Sequence, residues 1–167
     1  MAEIDVAAIA RAYFLDERSQ FGCAETTFIV LKGAYGLDDP VDAGAAMALN
    51  GGIAYSGGTC GAITGAALAV GMLAERRIDD HGAAKRVARN LVAGLMDAFV
   101  AEHGALDCRE LTGYDLRAPG QHDAFMAAGV WRERCLRQVE FAVTRMALLA
   151  DEEAWAAAVR DLDAPAS

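Results

Sequence analysis

Basic residues are in short supply in this chain. Fifteen lysines and arginines stand against 24 acidic residues, giving a net charge of −9. A phosphate-rich partner needs a positive footprint, so nucleic acid and anionic membrane surfaces are excluded as partners. Proline occurs only three times, and aromatic residues make up 7% of the chain. With a hydrophobic share of 54%, much of it alanine, this argues against disorder and against an all-β design. It favours helices that pack closely through small side chains. The longest apolar run, residues 60–74, falls short of the roughly 20 residues that span a bilayer. The opening residues, MAEIDVAAIARAYFLDERSQ, lack the basic start and apolar stretch of a secretory signal. The expectation is a soluble cytoplasmic protein with no membrane insertion. In that compartment cysteines bind metal or do redox work more often than they form lasting disulfides.

Several chemical signatures are missing as well. There is no CxxC, so the common zinc and ferredoxin spacings are absent, and no CxxCH for haem attachment. The glycine-rich stretch 51–58 is not followed by Gly-Lys-Ser/Thr and is no phosphate loop. No dinucleotide fingerprint is visible. The three histidines, His81, His103 and His122, stand apart from one another and from every cysteine motif, which argues against an independent catalyst.

What remains is a pattern of helices. Periodicity and breakers predict helices over residues 4–17, 23–35, 41–50, 60–76, 80–102 and 122–150, the last one whole or broken. A short turn opens at Asp107, a short acidic, exposed helix covers 151–163, and the tail APAS is loose. Ala24, Phe28, Leu31 and Tyr35 form one core stripe, and Ala84, Ala88, Leu91, Leu95 and Phe99 another. The helix from Cys60 is apolar on all faces and is expected at the centre. The fold class is all-α: a compact single-domain helical bundle with a buried central small-residue helix. No repeat or linker divides residues 1–167.

Four cysteines punctuate this frame: Cys23, Cys60, Cys108 and Cys135. Thr59 as N-cap places Cys60 at a helix start. Asp107 and Glu110, with capping-box spacing, do the same for Cys108, and Gly22 precedes Cys23. Backbone N–H groups and the positive end of the helix dipole favour a thiolate at all three. Cys135 lies inside a helix on the face of Val139, Ala142, Met146 and Leu149 and points inward. Arg132 and Arg134 flank it and lower its pKa if they come close. Gly61, Gly65 and Ala69 form a face without bulk, open to another backbone or to an inorganic core. Taken singly, each cysteine is equally well read as a small buried hydrophobe. Glu25 and Glu110 are candidates for proton relay or, in the case of Glu110, for capping.

The segments GCAET, GGTCGAITG, CRELTGYDL and CLRQVEFAV together resemble the C_GCAxxG_C_C family of redox-active proteins, over about residues 19–150. The family's four cysteines all find a counterpart; residues 151–167 form a short acidic extension. The resemblance implies a small helical redox domain similar to the iron–sulfur part of split-Soret cytochrome c, without the cytochrome half. Carried over, Cys23, Cys60, Cys108 and Cys135 are ligands to an iron–sulfur cluster, [2Fe–2S] in type, in an electron-transfer or redox-sensing protein. Where the family often has a glycine-rich run followed by a basic residue and a glutamate, this chain reads NGGIAYSGGTC. Two other readings stay open: a thiol–disulfide oxidoreductase or sensor using the same cysteines, and a helical module built on structural zinc. The expected partner is another redox protein, and close-packing apolar helices are compatible with a homodimer.

Overall fold

The computed structural model describes residues 4–163 and, within them, is all-α. The predicted tail APAS lies outside the described residues. Eight α-helices occur among them: α1 (Val6–Leu15), α2 (Cys23–Ala34), α3 (Gly61–Arg77), α4 (His81–His103), α5 (Cys108–Thr112), α6 (Gln121–Ala127), α7 (Leu136–Ala147) and α8 (Glu152–Asp163). No helix among the described residues is long and apolar enough to cross a membrane.

The stops and starts follow local chemistry. Asp5 caps α1 through Oδ1, which accepts from the Ala8 N–H at 2.9 Å, and Asp80 caps α4 through the Ala83 N–H at 2.7 Å. Gly104, with φ +87°, ends α4 in the left-handed cap that suits glycine. The helix expected over 41–50 does not form as an α-helix. Asp42 Oδ1 accepts from the Gly44 N–H, and the Lys32 ammonium binds the carbonyls of Asp39 and Asp42 at 2.7 and 2.6 Å. These bonds hold 39–43 in a turn, and only a 3₁₀ helix, Gly44–Leu49, follows. Residues 122–150 are broken. Gly129, with φ +70°, closes α6, and a π-helical turn, Trp131–Cys135, leads into α7.

The core has α2 and α3 at its centre. From Ala24 to Lys32 every residue of α2 is buried, so α2 is as enclosed as the small-residue helix α3 that was expected to lie central. α2 packs against α1, α3 and α7, and α3 against α2, α4 and α7. The predicted stripe Ala24, Phe28, Leu31, Tyr35 is wholly buried, and the Tyr35 hydroxyl donates to the Met146 carbonyl at 2.8 Å, joining α2 to α7. On α4, Ala84, Leu95 and Phe99 are buried, while Ala88 and Leu91 are half-buried. The last helix is not merely exposed. Trp155 packs under the Arg77 guanidinium, which also donates to the Leu149 and Ala150 carbonyls.

Candidate functional site

Four separate segments bring the thiols to one end of the α2–α3 pair. Cys23 opens α2. Its neighbours fix that start: the Gly22 N–H donates to Glu25 Oε2 at 2.9 Å, Asn50 Nδ2 donates to the same oxygen at 2.7 Å, and Asn50 Oδ1 accepts from the Ala24 N–H at 2.9 Å. Asn50 Oδ1 also lies 3.9 Å from Cys23 Sγ. Glu25 is therefore the capping carboxylate, buried under the loop.

Cys60 and Cys108 are set by one short antiparallel bridge between Thr59 and Asp107. The Cys60 N–H donates to the Leu106 carbonyl at 2.8 Å, and the Cys108 N–H to the Gly58 carbonyl at 2.7 Å. Thr59 is engaged in this bridge, so Cys60 itself occupies the N-cap of α3, one place earlier than expected. Asp107 does stand at the N-cap of α5, but its side chain makes no capping bond and Glu110 is exposed. The bridge, not a capping box, positions Cys108. Cys135 is the last residue of the π-helical turn rather than part of a regular helix, and its face (Val139, Ala142, Met146, Leu149) is buried as expected.

The glycine-rich loop makes an unusual turn. Gly51, Gly52, Ile53, Ala54 and Tyr55 all have positive φ, between 49° and 71°, which is one turn of left-handed helix. For an L-residue each such position costs about 1–2 kcal/mol. The turn is held from outside: Arg117 Nε donates to the Ala54 carbonyl at 3.0 Å, and the Tyr55 ring lies against His122, 5.3 Å between centroids. The Gly51 backbone N–H is one of the groups that lower the Cys23 pKa.

The glycine row of α3 serves close packing against α2. A Cβ on Gly61 would overlap Cys23 Sγ, and one on Gly65 would overlap the Ala24 carbonyl. The backbone N–H groups of Gly51, Ala24 and Gly61 each help to lower the Cys23 pKa.

These contacts divide the thiols. The neighbouring Cys60 thiol, with help from nearby backbone N–H groups and against the opposing effect of burial, brings the Cys23 pKa down to about 7. Cys60 is pushed well up, first by its Cys23 neighbour, then by burial. Its sulfur also lies 3.6 Å from Gln138 Oε1, a buried carboxamide from α7. Burial raises Cys108 to about 11, with the charge of Cys23 adding to it. Burial raises Cys135 too, and Arg134 only partly offsets this, while Arg132 is occupied with Glu17 and the Trp131 ring. The expected thiolate preference at three helix starts is thus found at Cys23 alone. Being next to helix N–H groups does not outweigh desolvation when the sulfur is buried.

Cys23 and Cys60 perturb each other, and the charge of Cys23 raises Cys108 and Cys135, so the four thiols lie within electrostatic reach of one another. The histidines lie elsewhere: His81 pairs with Glu75, His103 stacks between Phe99 and Phe141, and His122 meets Tyr55. Among the described residues, no three His, Cys, Asp or Glu side chains form a group able to hold a metal ion. The four cysteines are all free thiols, Cys23 half-buried and the others buried. The residues missed from sequence are Asn50, Gln138 and Gly51, all of which reach a cysteine from a distant part of the chain.

A family model described as putative redox-active protein (C_GCAxxG_C_C) matches residues 21–149. The chain belongs to this family. Its four cysteines, Cys23, Cys60, Cys108 and Cys135, all lie within the matched residues. Searches of the curated proteins and of the solved structures returned no match.

Proposed function

We propose that this C_GCAxxG_C_C protein transfers electrons or senses redox state through an iron–sulfur cluster, [2Fe–2S] in type, with Cys23, Cys60, Cys108 and Cys135 as its ligands. What supports the reading is that four thiols from four distant segments, mostly buried, lie within electrostatic reach of one another. The donor set fits such a group in kind: soft sulfur ligands only, with backbone N–H groups that lower the pKa of one of them. Four thiolates suit either a single zinc ion, which needs them at about 2.3 Å from one point, or a two-iron cluster, in which each iron takes two. When bound, the cluster supplies a one-electron acceptor and donor. The protein's part is to exclude water with α2, α3 and α7, and to give the sulfurs fixed hydrogen-bond donors.

The test is anaerobic purification of the full chain, a visible spectrum, and assays of iron and acid-labile sulfide. Broad visible absorbance with equal iron and sulfide supports the reading. A colourless protein without iron overturns it.

One contact favours a second reading. Cys23, half-buried with a lowered pKa, is perturbed most strongly by the buried Cys60 thiol, as suits an attacking and a resolving cysteine. In this reading Cys23 and Cys60 exchange between dithiol and disulfide with a partner's thiols, and no metal is needed.

A further inference from the structure

Gln138 lies on α7, three residues after Cys135, yet its side chain reaches the start of α3. It is buried, and its Oε1 stands 3.6 Å from Cys60 Sγ, within reach of the thiol proton. Among the described residues this is the one hydrogen bond its carboxamide makes. A buried polar side chain is costly unless it is well bonded, and a thiol is a weak donor. Asn50, the other amide at the site, differs. Its Oδ1 accepts from the Ala24 N–H at 2.9 Å, and its Nδ2 donates to Glu25 Oε2 at 2.7 Å and to the Met47 carbonyl at 3.2 Å. Those bonds fix its oxygen as the end that faces Cys23. No such bond fixes Gln138. Its terminal torsion is soft and roughly two-fold, and the two ends of a carboxamide have nearly the same shape. A half-turn therefore exchanges Oε1 for Nε2 against the Cys60 sulfur without displacing a neighbour.

That exchange matters when the sulfur changes state. A thiol that binds iron gives up its proton, and the sulfur becomes a negatively charged acceptor. We propose that Gln138 is a positioning residue of the redox site: it accepts from Cys60 while that sulfur is a thiol, turns to donate Nε2–H once the sulfur is an iron-bound thiolate, and so raises the site's midpoint potential. The inference rests on the reading of the cysteines as a redox centre. On reduction the site takes one electron from its partner and no bond to Cys60 breaks. The added charge is shared with the sulfurs, where an N–H donor stabilises it. In the dithiol reading the other end of the same amide serves. The Cys23–Cys60 disulfide takes two electrons and two protons from the partner's thiols and the S–S bond breaks. The new Cys60 thiol then has Oε1 as its acceptor, which the disulfide sulfur, having no proton, cannot use. In both readings Gln138 favours the reduced form.

The test is an anaerobic potentiometric titration of the full chain, loaded with iron and sulfide and, separately, metal-free. It compares the unaltered protein with Gln138→Met and Gln138→Leu, and with Val143→Ala as control. Methionine and leucine fill the space without an amide, and replacing a buried polar group by an apolar one of similar shape is well tolerated. Both variants are expected to titrate at a lower potential than the unaltered protein in whichever preparation gives a reversible wave. Val143 is fully buried on the same helix, eight residues beyond Cys135. Its truncation is expected to lower the unfolding midpoint, measured in parallel, and to leave the potential in place. If one of the two Gln138 variants does not fold, the other decides. A wave that is indifferent to position 138, or that Val143→Ala shifts as far, overturns the assignment and leaves the reading of the site standing. An unaltered chain with no reversible wave in either preparation overturns that reading and this inference with it.

Discussion

Gly61 faces Cys23 with no side chain between them, and a Cβ at that position would overlap Cys23 Sγ and crowd the Ala24 N–H. The small-residue row of α3 is thus a requirement of the thiol site as well as of the helix pair. Gly61→Ala must push Cys23 and the start of α2 away together. Overpacking of this kind costs about 1–3 kcal/mol. Gly71, on the same helix, has nothing within 4 Å of its would-be Cβ. Gly71→Ala is expected to stabilise by up to about 1 kcal/mol through helix propensity. Denaturant unfolding of both variants checks the contrast. Equal effects would show that the α2 contact does not constrain position 61.

Asn50 is the link between the glycine loop and α2. Truncation to alanine removes the acceptor for the Ala24 N–H and a donor to Glu25, which is 8% exposed. Leaving such groups unpaired costs about 1–3 kcal/mol. Asn50→Ala is expected to lower the unfolding free energy by that amount, and a loss within error would place the loop's anchoring elsewhere.

The all-α class, the positions of α2–α4 and the four cysteines were legible because each leaves a local trace: a 3.6-residue period, an aspartate cap, a glycine stop. The left-handed turn Gly51–Tyr55 was not, because Ile53 and Tyr55 carry no local preference for positive φ. Its tertiary contacts come from Arg117 and His122, more than 60 residues away. The acidity of the thiols was misjudged for a related reason. Helix position is visible in sequence, but the burial that outweighs it at Cys60, Cys108 and Cys135 is a tertiary property.

Strain at Ile53 gives its own prediction. A β-branched residue at φ +68° that is half exposed gains little from its side chain. Ile53→Gly is expected to stabilise the chain by about 1 kcal/mol, as glycine adopts this region freely. Thermal unfolding at constant pH checks it, and destabilisation would mean that the isoleucine side chain contributes more than its backbone costs.

The metal-free, reduced protein should show a thiol that titrates near neutral pH. Cys23 falls from an ordinary value of 9.0 to about 7 in the fold. A depressed acid pKa contributes stability above the unfolded pKa, and that contribution is lost as pH falls from about 9 through about 7. Cys108 works the other way. It is raised to about 11, so it opposes folding progressively as pH rises above 9. Iodoacetamide labelling followed by peptide mass analysis should find Cys23 modified first, with a rate that rises to a plateau just above pH 7. The thiolate fraction at pH 7 exceeds that of an ordinary thiol about fifty-fold, but lower nucleophilicity returns most of that, leaving an advantage of about five- to ten-fold. First labelling at Cys108 or Cys135 would contradict both the burial and the hydrogen bonding of the site.

Single serine substitutions separate the two readings of the centre. If all four sulfurs bind a cluster, Cys23→Ser, Cys60→Ser, Cys108→Ser and Cys135→Ser each lower bound iron and sulfide, because every ligand position is needed to close the two irons. If the centre is a dithiol, only one pair matters: Cys23→Ser and Cys60→Ser abolish reversible oxidation, while Cys108→Ser and Cys135→Ser leave it intact. Iron, sulfide and thiol counts before and after mild oxidation read out both patterns on the same preparations. The burial of Cys108 and Cys135 makes the comparison sharp, since a buried thiol with a raised pKa has little part in exchange chemistry but is well placed to bind iron once its proton is displaced. Full iron and sulfide in Cys108→Ser or Cys135→Ser would remove that residue from the ligand set and leave Cys23 and Cys60 as the core of the site.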